Sequence, residues 1–141
     1  GADAYVENRL FATLDPKTRV YEDWKGPGIL FTDTVGFIRN LPHGLVKAFH
    51  ATLEEVLDAD LILIVVDAAT EHVLQHKRVV DEVLKELGAE AKPKLLALNK
   101  TDLMGDAEKI RIQDVFPEAV LISAAQKQGL SALIAKIRQS L

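Results

Sequence analysis

No cysteine occurs in the chain, so neither a disulfide nor a thiolate metal site can hold it together. That fits a reducing compartment. Aromatic residues are scarce, 6% of the total with a single Trp, and any core must be built from aliphatic side chains. Long hydrophobic runs are missing too. The longest uninterrupted one, Leu61 to Val66, falls far short of the roughly 20 apolar residues of a membrane-spanning helix. The start, Gly1-Ala2-Asp3-Ala4, has neither a basic region nor a signal-type apolar block. Excess positive charge is also absent. A net charge of −4 argues against binding nucleic acid by charge alone, although it leaves room for a local basic patch. Together these absences predict a cytoplasmic chain with no membrane span.

What remains is ordinary globular composition, 48% hydrophobic and 27% charged over 141 residues. That is enough chain for one domain with its own core. The chain is organised around Ile29-Leu30-Phe31-Thr32-Asp33-Thr34-Val35-Gly36. A buried strand that ends in Asp and turns on Gly can aim a carboxylate and a backbone N–H at one point. Nucleotide-hydrolysing proteins use that geometry for a magnesium shell and a terminal phosphate. The structural alternative is a strand followed by a turn, so the rest of the chain decides.

Residues 1–18 show no clean period and read as a loop, with Asp15-Pro16 stopping any helix. Arg19 to Trp24 reads as a short strand, Lys25-Gly26-Pro27-Gly28 as a turn, and Ile29 to Thr32 as the second arm of an antiparallel hairpin. Leu41-Pro42-His43-Gly44 opens a helix whose apolar positions, from Leu45 to Leu57, follow three-and-four spacing. Leu61 to Val66 is apolar at every position, as in strands buried on both faces of a parallel sheet, and it ends at Asp67. A helix follows over 71–87, with Val73, Leu74, Val80, Val83, Leu84 and Leu87 inward and Gly88 as its stop. Then come a strand over 94–98 ending at Asn99, a helix over 106–116 closed by Pro117, a strand over 119–122 ending at Ser123, and a helix over 129–141 with Leu130, Leu133, Ile134, Ile137 and Leu141 on one face. Helix and strand alternating in this way predict an α/β fold, an open and mostly parallel sheet with helices on both faces and one antiparallel hairpin strand.

In such sheets ligands bind beyond the carboxyl ends of the strands. Asp33, Asp67, Asn99 and Ser123 stand there. Asn99-Lys100-Thr101-Asp102 follows a buried strand directly. Its Asn can both donate to and accept from a purine, and its Asp can accept N1–H and the 2-amino group of guanine. Adenine lacks that donor pair, so the Asp would be left unpaired and adenine rejected. Lys100 can lay its stem along the base. Ser123-Ala124-Ala125 offers small residues that let backbone amides approach a ring oxygen. In Phe11-Ala12-Thr13-Leu14-Asp15, a loop Thr could complete a magnesium shell. Read alone, the first of these is a polar turn, the second a helix-approach loop and the third an uninformative loop.

Together the four stretches resemble the HflX branch of the Obg–HflX translational GTPases, and the resemblance covers nearly the whole chain. Asp3 to Pro16 is similar to that family's first switch, and Asp33-Thr34-Val35-Gly36-Phe37-Ile38-Arg39-Asn40-Leu41-Pro42 to its second. Asn99-Lys100-Thr101-Asp102 is similar to the guanine-specificity motif and Ser123-Ala124-Ala125 to the last base-contact loop. The resemblance implies GTP and GDP as ligands with Mg²⁺ as cofactor. It implies that Thr13 ligates Mg²⁺, that Asp33 holds it through water, and that the Gly36 amide senses the γ-phosphate. Phe37 stands where Ras-like GTPases place a water-orienting Gln. An apolar ring cannot orient water, so the resemblance implies slow intrinsic hydrolysis and help from the large ribosomal subunit.

The family pattern also includes a phosphate loop, Gly-x-x-x-x-Gly-Lys-Ser/Thr. No such stretch occurs in the 141 residues. The expectation is therefore a partial GTPase domain over 1–141, from first switch to last helix, that binds GTP weakly and does not turn it over. In the family's strand order, a strand would lie between those at 29–32 and 61–66. Two unpaired inner edges are expected to invite self-association. The alternative is a non-catalytic interaction module that self-associates or docks on a partner through those edges. His72 and His76, at i and i+4, have a metal-compatible spacing but no third ligand nearby, and read as a solvated helix face. Glu54 and Glu55 are adjacent on a helix and diverge. Trp24 reads as packing and Asp67 as a cap.

Overall fold

The computed structural model describes residues 17–33, 54 and 56–141, with Lys17 and Asp33 described in their backbone only. The expectations on Phe11-Ala12-Thr13-Leu14-Asp15, on Thr34-Val35-Gly36-Phe37 and on most of the helix after Leu41 lie outside those residues. The chain divides into two compact units, residues 1–58 and residues 59–141.

In the first unit, β1 (Lys17–Asp23) and β2 (Gly26–Asp33) form an antiparallel ribbon. The register pairs Lys17 with Asp33 and Val20 with Leu30, and shifts between Tyr21 and Asp23. The turn is Trp24-Lys25, not 25–28 as expected from the Gly and Pro residues. Asp23 explains this. Its Oδ1 accepts the Lys25 N–H at 2.9 Å, an Asx turn that closes the hairpin two residues earlier. Gly26, Pro27 and Gly28 then belong to β2, beside the register shift between Tyr21 and Asp23, a place where a strand accepts Pro. Trp24, expected to pack, is 90% exposed, with the Lys25 ammonium 5.7 Å from its ring centroid. Glu54 and Val56–Asp58 are helical, as the three-and-four spacing predicts.

The second unit holds a parallel sheet in the order β3-β4-β5, made by Ile62–Asp67, Lys94–Asn99 and Val120–Leu121. Around it come α1 (Val73–Glu86), a 3₁₀ turn at Thr101–Leu103, α2 (Asp106–Val115) and α3 (Leu130–Ser140). The alternation of helix and strand was therefore read correctly. The core is aliphatic, as the scarcity of aromatics requires: Ile64, Val66, Leu84, Leu95, Ala97, Leu98, Ile112, Leu133 and Ile137 are all buried. Three details differ. Val65 is 54% exposed, so β3 is not buried on both faces in this unit. Leu74 and Leu141 are exposed. Leu74 follows Val73 at the start of α1 and so cannot share its inward face, and Leu141 lies past the end of α3. Helix α1 ends as Gly88 predicts. Gly88 has φ +78°, its N–H donates to Lys85 O, and the Ala89 N–H donates to Leu84 O, the paired bonds of a Schellman cap.

Candidate functional site

The carboxyl ends of β3, β4 and β5 are laced together by main-chain bonds. Asp67 pairs with Asn99 in the ladder, and the Ala68 N–H continues it to Asn99 O at 2.9 Å. The Ile122 N–H donates to Leu98 O at 2.8 Å. Buried Thr101 closes the corner, donating both its N–H (3.2 Å) and its hydroxyl (2.8 Å) to Ile122 O. Lys100 sits at this corner in the left-handed region, φ 67° and ψ 31°. A non-glycine residue held there stores about 1–3 kcal/mol, and the Thr101 and Asn99 bonds on either side hold it.

This corner brings Asn99, Asp102 and the Ser123 loop together, the two stretches that the sequence singled out separately. Ser123 is fully buried. Its hydroxyl donates to Asp102 Oδ1 at 2.7 Å and accepts the Gln126 N–H at 3.1 Å. The Asp102 carboxylate is thereby oriented, while the residue as a whole stays exposed to a ligand. Asn99 Oδ1 accepts the Ala124 N–H at 3.0 Å. The Ala124 amide can reach a base oxygen only as a shared donor. The loop is shut behind these residues, because Ser123 and Gln128 exchange both main-chain bonds at 2.9 Å. Gly129 follows with φ +76°, and a Cβ there would collide with the Leu121 carbonyl oxygen. Such an arrangement can offer a planar heterocycle an oriented carboxylate, an amide side chain and an aliphatic stem at one edge of the sheet.

Asp67 caps, as its position predicts: Oδ1 accepts the Ala69 N–H at 2.8 Å. It does more, because Oδ2 lies 3.3 Å from Lys100 Nζ. The sequence reading missed that pairing. The signal was available, since parallel strands ending at Asp67 and Asn99 place Lys100 one residue beyond Asp67's ladder partner.

Thr13, Thr34, Val35 and Gly36 lie outside the described residues. Asp33 is placed at the carboxyl end of β2 by its backbone alone. Among the described residues no group of three or more His, Asp or Glu side chains converges to hold a metal ion. The Mg²⁺ assignment to Thr13 and to the Asp33 side chain lies outside the described residues. His72 and His76 stand 6.2 Å apart between ring centroids, and His72 Nε2 lies 3.4 Å from Glu71 Oε1. No helix among the described residues is long and apolar enough to cross a membrane.

A polar corner at the carboxyl ends of a parallel sheet is where α/β proteins bind their ligands, and comparison with known proteins gives the class. A family model described as "50S ribosome-binding GTPase" matches residues 1–100. The chain belongs to that GTPase family. More narrowly, it is 45% identical to the GTPase HflX of Caldanaerobacter subterraneus, covering 100% of this chain and 32% of that protein. It is 40% identical to the GTPase HflX of Escherichia coli, covering 99% and 33%. These relatives place it with the HflX type. The chain spans about a third of the length of the curated relatives it matches. Among solved structures, a complex of SsGBP with GDP matches with a TM-score of 0.72 at 29% identity, covering 95% of this chain and 44% of that one. Era bound to MgGDPNP and to nucleotides 1506–1542 of 16S ribosomal RNA matches with a TM-score of 0.65 at 26% identity, covering 92% and 45%.

Proposed function

We propose that residues 1–141 are the part of an HflX-type GTPase domain that runs from the first switch to the last helix, and that the 99–102 and 123–125 stretches form its guanine site. One observation carries this reading. The buried Ser123 hydroxyl fixes the carboxylate of Asp102 beside Asn99. In this reading the two Asp102 oxygens accept N1–H and the 2-amino group of guanine. Asn99 contacts the other edge of the purine, the stem of Lys100 covers its face, and the Ala124 and Ala125 amides face its oxygen. Adenine presents no matching donors and leaves the carboxylate unpaired.

The whole protein would bind GTP and hydrolyse it to GDP and phosphate. Its first switch would span Asp3 to Pro16, with Phe11-Ala12-Thr13-Leu14-Asp15 at the nucleotide, and its second Asp33 to Pro42, with Asp33-Thr34-Val35-Gly36 at the nucleotide. Mg²⁺ would sit at Thr13 and Asp33, where it would neutralise developing phosphate charge. With Phe37 in place of a water-orienting amide, hydrolysis would depend on an outside activator. The description of the matching family makes the large ribosomal subunit the first candidate. The 141 residues contain no Gly-x-x-x-x-Gly-Lys-Ser/Thr. This chain by itself should therefore hold the base and not the phosphates, and should not turn GTP over. Isotope-labelled chain titrated with guanosine and with adenosine tests the reading. Guanosine should shift the amides of Asn99, Lys100, Asp102 and Ala124, and adenosine should leave them in place. Equal shifts from both nucleosides would reject a guanine site.

A second reading, that the chain is a non-catalytic module pairing through its sheet edges, is favoured by the separation of the described strands into a two-stranded and a three-stranded sheet. Among the described residues, β3 is paired only on its β4 side. Unpaired strand edges are templates for association.

A further inference from the structure

We infer that Asp67 is a positioning residue for Lys100, holding its ammonium and stem across the mouth of the base site. The inference rests on the guanine-site reading and deepens it. It starts from the 3.3 Å separation between Asp67 Oδ2 and Lys100 Nζ, with the two side chains 32% and 55% exposed.

An exposed ion pair between two long, free side chains contributes little, because fixing both of them offsets the attraction. Here neither end is free in that sense. Asp67 is the last residue of β3, locked in register with Asn99, and its other oxygen already accepts the Ala69 N–H. The carboxylate therefore has one orientation before Lys100 arrives. Lys100 has its backbone held in the left-handed region by the bonds of Thr101 to Ile122 O and of Ala68 to Asn99 O. What the ion pair removes is only the freedom of the lysine side chain. A lysine left free would have to be ordered when a base slides under it, at the expense of affinity. Tethered by one of its three donors, the ammonium keeps two for a ligand. The pair also ties the 67–69 loop to the 99–102 loop.

Asp67→Asn separates the two jobs of the residue. An Asn oxygen can still accept the Ala69 N–H, so the cap survives while the negative charge facing Lys100 is lost. A double-mutant cycle with Asp67→Asn and Lys100→Met is read by guanosine titration of the full 141-residue chain, with Asp102→Asn as the control for the base site itself. An ion-pair coupling at the upper end of the range for partly exposed pairs corresponds to a loss of about threefold to fivefold in affinity for Asp67→Asn. The same substitution should have no further effect in the Lys100→Met background. Equal losses in both backgrounds, or none in either, overturn the inference while Asp102→Asn still weakens guanosine about 10-fold or more and the guanine site stands. If the unsubstituted chain binds no guanosine, the guanine-site reading falls and the inference with it. A second readout is independent of ligand. The ε-methylene of Lys100 should be restricted in its NMR relaxation and released by Asp67→Asn. A lysine equally mobile in both proteins contradicts the tether.

Discussion

At Asp102 the proposed chemistry comes down to a single carboxylate. Replacing it by Asn substitutes an N–H₂ for one acceptor and sets donor against donor at the guanine edge. Charged hydrogen bonds of this kind contribute about 1.5–3 kcal/mol, so Asp102→Asn should weaken guanosine about 10-fold to 100-fold without altering the thermal midpoint. Nucleoside titration beside a melting curve checks both parts. Ser123→Ala should behave differently, because Ser123 is fully buried and bonded on both sides, to Asp102 and to the Gln126 amide. Losing that hydroxyl strands a donor and an acceptor, and should destabilise the chain by about 1–3 kcal/mol in a urea titration as well as weakening guanosine. The residue types at 99, 102 and 123 were legible because each ends or follows an apolar run, and strand ends are where ligands bind. Which of them touch was not legible. The Ser123–Asp102 bond depends on how β4 and β5 align, and β5 spans only two residues. So short a strand carries no periodic signal of its own.

Elements were legible where one period or one punctuation residue dominated. Gly88 ended α1, and the aliphatic runs at 62–67 and 94–99 formed the sheet. The hairpin turn was misread because Gly26-Pro27-Gly28 outweighed Asp23 on paper. In the folded ribbon, the Asp23 carboxylate reaches the Lys25 amide first. Exposure along β3 was misread for another reason: an all-apolar strand says what could cover it and not what does. Among the described residues, two glycines with positive φ give an internal comparison. At Gly88 (φ +78°) nothing lies within 4 Å of an added Cβ, and Gly88→Ala should lose only the left-handed penalty of about 1–2 kcal/mol. At Gly129 (φ +76°) the same substitution adds a collision with the backbone of β5. Gly129→Ala should therefore destabilise the chain more than Gly88→Ala and should also disturb the amides of residues 123–128. Equal denaturation midpoints for the two variants would contradict this account of the loop. Leu98→Ala, at a fully buried position in the central strand, should lower stability by about 2–5 kcal/mol.

For the molecule as a whole, the overall class could be read from the alternation of helix and strand, and the family from four short stretches. The behaviour of this particular chain could not, because affinity for a nucleotide is the sum of a base term and a phosphate term, and no one stretch of sequence carries both. Open edges on the described strands predict that the mass measured by light scattering rises above that of a monomer as concentration increases. A monomeric mass throughout would remove the self-association reading. The central claim is that these 141 residues read a guanine without cradling a triphosphate. Affinities of the chain for guanosine, GDP and GTP, measured side by side with adenosine as the control, test it most directly. Guanosine, GDP and GTP should bind with similar weak affinities, and adenosine should bind more weakly still. Sub-micromolar binding of GTP, or no preference for guanosine over adenosine, would contradict it.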